Sequence, residues 1–121
     1  VVATSIMVQK SLDAANVLAA EGIDVEVLDL RTLRPIDTAT IIESVKKTSR
    51  LACIYEGVKT LGIGAEISAR IAESEAFDYL DAPILTIAGK DVPMPYAANL
   101  EKLALPNVDE VVQAVKTVCY K

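Results

Sequence analysis

Arg50-Leu-Ala-Cys-Ile-Tyr-Glu-Gly-Val-Lys-Thr-Leu-Gly-Ile-Gly-Ala-Glu-Ile-Ser-Ala-Arg-Ile-Ala-Glu-Ser-Glu-Ala76 is the stretch that decides the fold. It opens with Leu51–Tyr55, a largely apolar run without polar alternation, which is the pattern of a strand buried on both faces. Glycines at 57, 62 and 64 then allow a turn and close backbone approach over Glu56–Gly64. Beyond that loop, Ile63, Ile67 and Ile71 recur every fourth residue and share one face of a helix. Glu66, Arg70 and Glu73 fall on the other side, with Glu66 and Arg70 spaced for a supporting ion pair. Strand, glycine loop and helix make half of a βαβ unit.

The flanking sequence repeats this grammar. Val1–Ala3 reads as a strand that opens abruptly, as a domain belonging to something longer would. Thr4 or Ser5 caps a helix over Met7–Ala20, with Val8, Leu12, Ala15 and Ala19 inward and Gln9, Asp13 and Asn16 outward. Gly22 stops it. Asp24–Leu30 alternates and reads as a strand near an edge. Arg31–Asp37 is a polar loop shaped by Pro35, and Asp37 caps the helix Thr38–Thr48, whose inner face is Ile41, Ile42 and Val45. After the central unit, Glu75–Asp81 forms an acidic turn and Ile84–Ala88 a fourth strand closed by Gly89. Lys90–Tyr96 cannot be regular, because Pro93 and Pro95 remove donors and restrict their neighbours. A short helix over Ala97–Leu103 follows. Asn107 and Glu110 then make a capping box for Val108–Cys119, lined by Val111, Val112, Val115 and either Val118 or Cys119.

Strands alternating with helices predict an α/β/α sandwich on a mostly parallel sheet. In a doubly wound sheet, any crevice lies beyond the carboxyl ends of the strands, among Thr4, Ser5, Leu30–Arg34, Glu56–Gly64 and Gly89–Tyr96.

Composition narrows the function. The chain has 121 residues, a net charge of −5 and no local basic patch, which argues against a nucleic-acid surface. No apolar run is long enough to span a membrane. Cys53 and Cys119 make no disulfide framework and read as reduced thiols. Histidine is absent, which removes the commonest general base and neutral metal ligand and lowers the expectation of a self-contained enzyme.

The Gly57…Gly62-x-Gly64 loop meets neither the dinucleotide nor the Walker fingerprint; tight turning and helix–sheet packing account for it, with a protein interface and anion binding as alternatives. Glu56 is the best catalytic candidate by position, with Arg31, Arg34 or Lys59 as partners; a carboxylate accepting loop amides is the simpler reading. Arg31 and Arg34 offer a clamp for an anion or a pair across a boundary. Val92, Met94 and Tyr96, in a proline-stiffened loop with Asp91 and outside any amphipathic period, read as a docking surface, with a lid as the alternative. Glu73, Glu75, Asp78 and Asp81, interleaved with Phe77, Tyr79 and Leu80, either attract a basic partner or form a solvated face with the aromatics inward. No residue group has metal-ligand spacing.

Several motifs together resemble the C-terminal, transketolase-C-like domain of pyruvate dehydrogenase E1 β subunits. They are Asp29–Asp37, Glu56-Gly57 with Gly62–Ile67, Ala69–Ala72, Phe77–Pro83 and Asp91–Ala97, and the likeness covers essentially the whole chain. Asp91–Ala97 favours the pyruvate enzyme over its branched-chain relative. The resemblance implies an α2β2 thiamine-diphosphate- and Mg-dependent enzyme that decarboxylates pyruvate and reductively acetylates lipoyl groups of an acyltransferase core. It implies that the cofactor and chemistry belong to the α subunit and to a pyrimidine-binding domain upstream of residues 1–121. No catalytic, cofactor or metal residue is then expected here, and the chain alone is expected to be inactive. The implied sheet order is 2-1-3-4, with an antiparallel edge strand upstream. The implied partners are the E1 α subunit, a second β subunit and the subunit-binding domain of the dihydrolipoyl acyltransferase, in the mitochondrial matrix, a bacterial cytoplasm or a plastid.

Carried over by position, the expected interfaces are Glu56, Val58, Lys59, Leu61, Gly62 and Gly64 in one loop, Asp91, Val92, Pro93, Met94, Pro95 and Tyr96 in another, and Val118, Tyr120 and Lys121 at the end, with Arg31, Arg34, Pro35 and Asp37 as a structural loop. The family pattern commonly has tryptophan and proline where this chain has Val58 and Lys59, and a small or aromatic residue at Leu61. The ending Val118–Lys121 is less aliphatic than the pattern. Both departures bear on partner fit. The alternatives are the corresponding domain of another 2-oxoacid or acetoin dehydrogenase and a freestanding flavodoxin-like ligand-binding or regulatory module.

Overall fold

The computed structural model describes Val1–Lys121 as a four-stranded parallel sheet with helices on both faces. In chain order the elements are β1 (Val2–Ala3), α1 (Ile6–Ala20), β2 (Leu28–Asp29), α2 (Thr38–Thr48), β3 (Ala52–Val58), α3 (Ile63–Ala72), a 3-10 turn (Glu75–Tyr79), β4 (Leu85–Gly89), α4 (Ala98–Ala104) and α5 (Val108–Val118). The sheet order is β2-β1-β3-β4, so the strand order reverses between β1 and β3. The architecture is the one the alternation of elements predicts, and the order is the one the family resemblance implies.

Pleating divides the interior into two cores. Cys53 and Leu51 face a cluster built with Ile41 and Val45 of α2 and Ile67 and Ile71 of α3. Ala52 and Ile54 face the opposite cluster, with Met7, Ala14 and Leu18 of α1 and Val111, Val112 and Val115 of α5. Each buried aliphatic side chain contributes roughly 1.5–3 kcal/mol through removal of apolar surface from water. The two cores therefore supply the main drive to fold.

Helix ends follow local chemistry where a side chain can reach. Asp37 accepts from the Thr40 N–H at 3.1 Å and from its hydroxyl at 2.6 Å, and these donors hold its carboxyl below the usual range. Asn107 and Glu110 close both arms of the capping box at 2.9 Å. α1 ends in a Schellman motif: Gly22 has φ 77°, its N–H donates to Ala19, and the Ile23 N–H donates to Leu18. The Glu66–Arg70 pair forms at 2.7 Å.

Four expectations are corrected. Neither Thr4 nor Ser5 caps α1 by its side chain; Ser5 takes φ 53°, in the left-handed region, and makes no side-chain cap bond. The inner face of α1 is Met7, Ser11, Ala14 and Leu18, while Leu12 is 44% exposed and Ala19 lies outside. Apolar and small residues surround this helix, so hydrophobicity does not set its phase; small Ser11 and Ala14 pack inward instead. β2 shrinks to Leu28–Asp29 because it pairs only with Val2 and Ala3 before the chain turns into α1. β3 continues through Glu56 to Val58 after an irregularity in its pairing with β4. Gly89 makes that continuation possible: a Cβ there would collide with the Glu56 carbonyl oxygen.

Two outcomes are expected. The buried Ser11 hydroxyl has no hydrogen-bond partner. Ser11→Ala removes that cost and improves helix propensity, so urea unfolding should show a gain of about 1 kcal/mol. Burial pushes the Cys53 thiol up to about 12. In a thiol-reagent assay near pH 8 it should react only on unfolding, whereas Cys119, half-buried, should react in the native chain.

A candidate docking rim at the carboxyl ends of the strands

The carboxyl ends of the strands open into a rim made by the turns after β1, β2, β3 and β4. Between β1 and β3, where the strand order reverses, a crevice of about 370 Å³ is lined by Thr4, Leu33, Tyr55 and the Glu56–Ile63 loop. Its floor is Tyr55. The ring lies under the start of α3, so that a Cβ at Gly64 would stand 2.9 Å from it and 2.8 Å from the Thr86 methyl, and a Cβ at Gly62 would strike the phenol oxygen. Gly62 is thus required by the Tyr55 phenol together with the Val58 carbonyl oxygen, and Gly64 by Thr86 together with the Tyr55 ring. Gly57 is not, since a Cβ there meets nothing closer than 3.7 Å. The phenol oxygen is buried; the Gly64 amide leans toward it without closing a full hydrogen bond, and burial raises the Tyr55 pKa.

The residues predicted for chemistry do not converge. Glu56 is half-buried and pairs with neither Arg31, Arg34 nor Lys59, and no loop amide donates to it. Arg31, at φ 57°, folds back on Asp29: its Nε reaches Oδ2 at 2.7 Å and its backbone N–H reaches Oδ1 at 3.1 Å. That pairing occupies one arm of the supposed anion clamp, and Arg34 makes no ion pair. The Thr32 hydroxyl donates to the Pro35 carbonyl at 2.8 Å, so the loop is closed on itself. No group of three Cys, Asp or Glu is placed to hold a metal. The thiamine diphosphate and Mg implied by the resemblance therefore find no matching donor set in this chain, and no reaction step is derived from them.

What the rim does present is apolar. Val58, Leu61, Val92, Met94 and Tyr96 are all exposed, Leu61 to 98% and Tyr96 fully. Leu61 holds φ 56° in a turn closed by the Gly62 N–H on the Lys59 carbonyl at 3.1 Å. The loop after β3 is tied to the loop after β4 through Thr60 and Asp91, with the hydroxyl at 2.6 Å and the amide at 3.2 Å from the carboxylate. Those donors, the hydroxyl first, hold the Asp91 carboxyl below its ordinary range. Lys59, Pro93 and half-buried Pro95 complete the two loops. Beside them α4 exposes Leu100 and Leu103, three residues apart on one face. Neither this helix face nor the pairing of Thr60 with Asp91 is named in the sequence analysis, although Thr60 lies within the Glu56–Gly64 loop it singles out; the Leu100–Leu103 spacing is visible in the sequence, whereas a pair 31 residues apart is not.

Two expected interface residues lie in the interior. Gly64 is buried in the first turn of α3, and Val118 is buried in the α1–α5 layer, its carbonyl accepting from Arg50 Nε at 2.7 Å. At the end of the chain Tyr120 and Lys121 are exposed, and the Tyr120 hydroxyl donates to the Asp81 carbonyl at 3.2 Å. In the acidic turn Phe77 and Tyr79 face outward and are not turned into the interior as the solvated-face reading has them; Lys46 stands 5.8 Å from the Tyr79 ring and 3.3 Å from Glu75.

A 2-1-3-4 parallel sheet whose strand-end loops carry apolar side chains and no assembled acid–base pair defines the class. The chain belongs to the transketolase C-terminal domain family, which it matches over residues 1–111. Among curated relatives it is 68% identical over 111 residues to the pyruvate dehydrogenase E1 component subunit beta of Rhizobium meliloti, covering 92% of this chain and 24% of that protein. It is 61% identical over 120 residues to the corresponding subunit of Rickettsia felis, covering 99% and 36%. It is 54% identical over 121 residues to the mitochondrial subunit beta-2 of Oryza sativa subsp. japonica, covering 100% and 32%. The chain thus spans between 24% and 36% of the length of these three relatives. A solved structure, a split-gene transketolase described as an inactive beta4 tetramer, superposes with a TM-score of 0.83 at 28% identity, over 98% of this chain and 37% of that one.

Tyr55 matters here through its volume more than its hydroxyl. Tyr55→Phe should therefore change stability by less than about 1 kcal/mol in a urea titration. Tyr55→Ala should cost about 3–5 kcal/mol by emptying the floor of the crevice.

Proposed function

We propose that this chain is a noncatalytic assembly domain of a pyruvate dehydrogenase E1 β subunit. In this reading residues 1–121 are one transketolase-C-like domain of a longer subunit, and a pyrimidine-binding domain upstream, with the E1 α subunit, supplies the thiamine diphosphate and Mg chemistry. The observation that carries the reading is the rim itself: Leu61 and Tyr96 stand almost wholly in water on stiff loops, while Glu56 has no partner with which to exchange a proton. Exposed apolar anchors on rigid supports suit a protein interface, because little side-chain and loop entropy is lost on docking.

The proposed partners are those the resemblance implies. A second β subunit is the first occupant proposed for the rim, in keeping with the tetrameric assembly named for the structural relative. The E1 α subunit and the subunit-binding domain of the acyltransferase are the further partners, the latter through Tyr120 and Lys121 at the end of the chain. The intact enzyme decarboxylates pyruvate and acetylates the lipoyl group. Its compartment is the mitochondrial matrix, or the cytoplasm if the source is bacterial, with a plastid as the third alternative.

Sedimentation equilibrium on the 121-residue chain tests the reading. Self-association is expected in the wild type. Leu61→Gly should weaken it by about 1–2 kcal/mol with thermal stability unchanged, because glycine suits the left-handed φ while removing the anchor. A folded chain that stays monomeric, and that ignores an added acyltransferase subunit-binding domain, would overturn the assignment.

A further inference from the structure

One residue pair joins the loops that carry the exposed apolar side chains. Thr60 donates to both oxygens of the Asp91 carboxylate, through its hydroxyl at 2.6 Å and its N–H at 3.2 Å. The Lys59 N–H is directed at the same carboxylate, so the polar ties between the two loops converge on Asp91. Each end of the pair stands where a single torsional choice governs an anchor. On one side Thr60 precedes Leu61, whose φ of 56° costs about 1 kcal/mol for a residue bearing a Cβ. Leu61 is nearly all in water, so burial of its own side chain does not offset that strain, and the neighbouring turn must be held by other contacts. On the other side Asp91 opens the segment that runs through Pro93 and Pro95, whose rings fix their φ angles. The Val92 N–H on the Lys90 carbonyl at 2.8 Å tightens the same corner. Fixing Asp91 therefore aims a stiff arm that ends at Tyr96. The bonds are charge-assisted, the stronger class of hydrogen bond.

We propose that Thr60 and Asp91 are positioning residues whose double hydrogen bond sets the spacing between the Leu61 and Tyr96 anchors and so the fit of this rim to a second copy of the chain. The proposal rests on the assembly reading above. It adds that the geometry of the interface is determined by two polar residues that supply none of its apolar surface.

The test combines amide relaxation by NMR with sedimentation equilibrium on the 121-residue chain, which carries a buried cluster on each face of its sheet. Thr60→Ala should raise the mobility of the Val92, Met94 and Tyr96 amides in the other loop and weaken self-association roughly three- to tenfold, with the thermal midpoint little changed. Thr60→Ser keeps both donors and should restore order and affinity together. Thr60→Ala combined with Asp91→Ala should be no weaker than the weaker single variant, as expected when both changes remove one interaction. Undisturbed amides at Val92–Tyr96 in Thr60→Ala would overturn the proposal. So would unchanged affinity in that variant while Leu61→Gly lowers it, and in that case the assembly reading would stand. A wild-type chain that stays monomeric would overturn the role assigned to the pair, and the assembly reading falls with it if that chain also ignores an added acyltransferase subunit-binding domain.

Discussion

Everything in this domain is arranged around β3, a strand with hydrogen-bonded neighbours on both edges and helices on both faces. Such a strand has no solvent side on which to place a charge, so Leu51–Tyr55 is apolar throughout except for the phenol oxygen at its end. Polar and functional side chains are displaced to where the strand leaves the sheet. There the constraint is still felt. Tyr55 is wide enough to push against the next helix, and α3 can begin above it only because Gly62 and Gly64 lack side chains. The same accommodation recurs across the sheet, where Gly89 yields to the Glu56 carbonyl and lets β3 run on to Val58.

The ion pairs play a smaller part than their number suggests. Glu66–Arg70, Lys46–Glu75, Lys90–Glu110 and Lys116–Glu21 all lie on the surface, where screening and side-chain entropy leave each worth about 0–1 kcal/mol. Glu26 is instructive: Lys47 approaches it closely and holds its carboxyl below the usual range, yet it remains in contact with solvent. Stability comes from the cores.

The elements most legible in the sequence were those with a single physical cause. An unbroken apolar run announced β3, isoleucines every fourth residue announced α3, and Asp37 and the Asn107–Glu110 box marked the starts of α2 and α5 because their caps act over three residues. α1 was placed but misphased, since Ile6, Leu12 and Val17 are apolar and exposed while Ser11 is polar and buried. β2 was read too long because the pattern over Asp24–Leu30 records burial without recording how few rungs its neighbour offers. At the rim, the rigidity of Asp91–Tyr96 and its exposed apolar side chains were legible from proline spacing and lost periodicity. The Thr60–Asp91 tie, the retreat of Arg31 onto Asp29 and the burial of Gly64 are tertiary outcomes that no local pattern encodes, whereas the periodicity of α5 already offers Val118 as an inward position.

The division of the interior by the sheet has a bearing on how such a domain changes over time. The cluster under α2 and α3 and the cluster under α1 and α5 share strands but no side-chain volume, because successive residues of β3 point to opposite sides. A methylene lost in one layer is filled, or left empty, by that layer alone. Substitutions on opposite faces should then combine with little epistasis, while those within a layer depend on one another. Lineages can thus rework the α1–α5 face step by step without disturbing the α2–α3 face, so one side of the sheet can drift while the other keeps its shape.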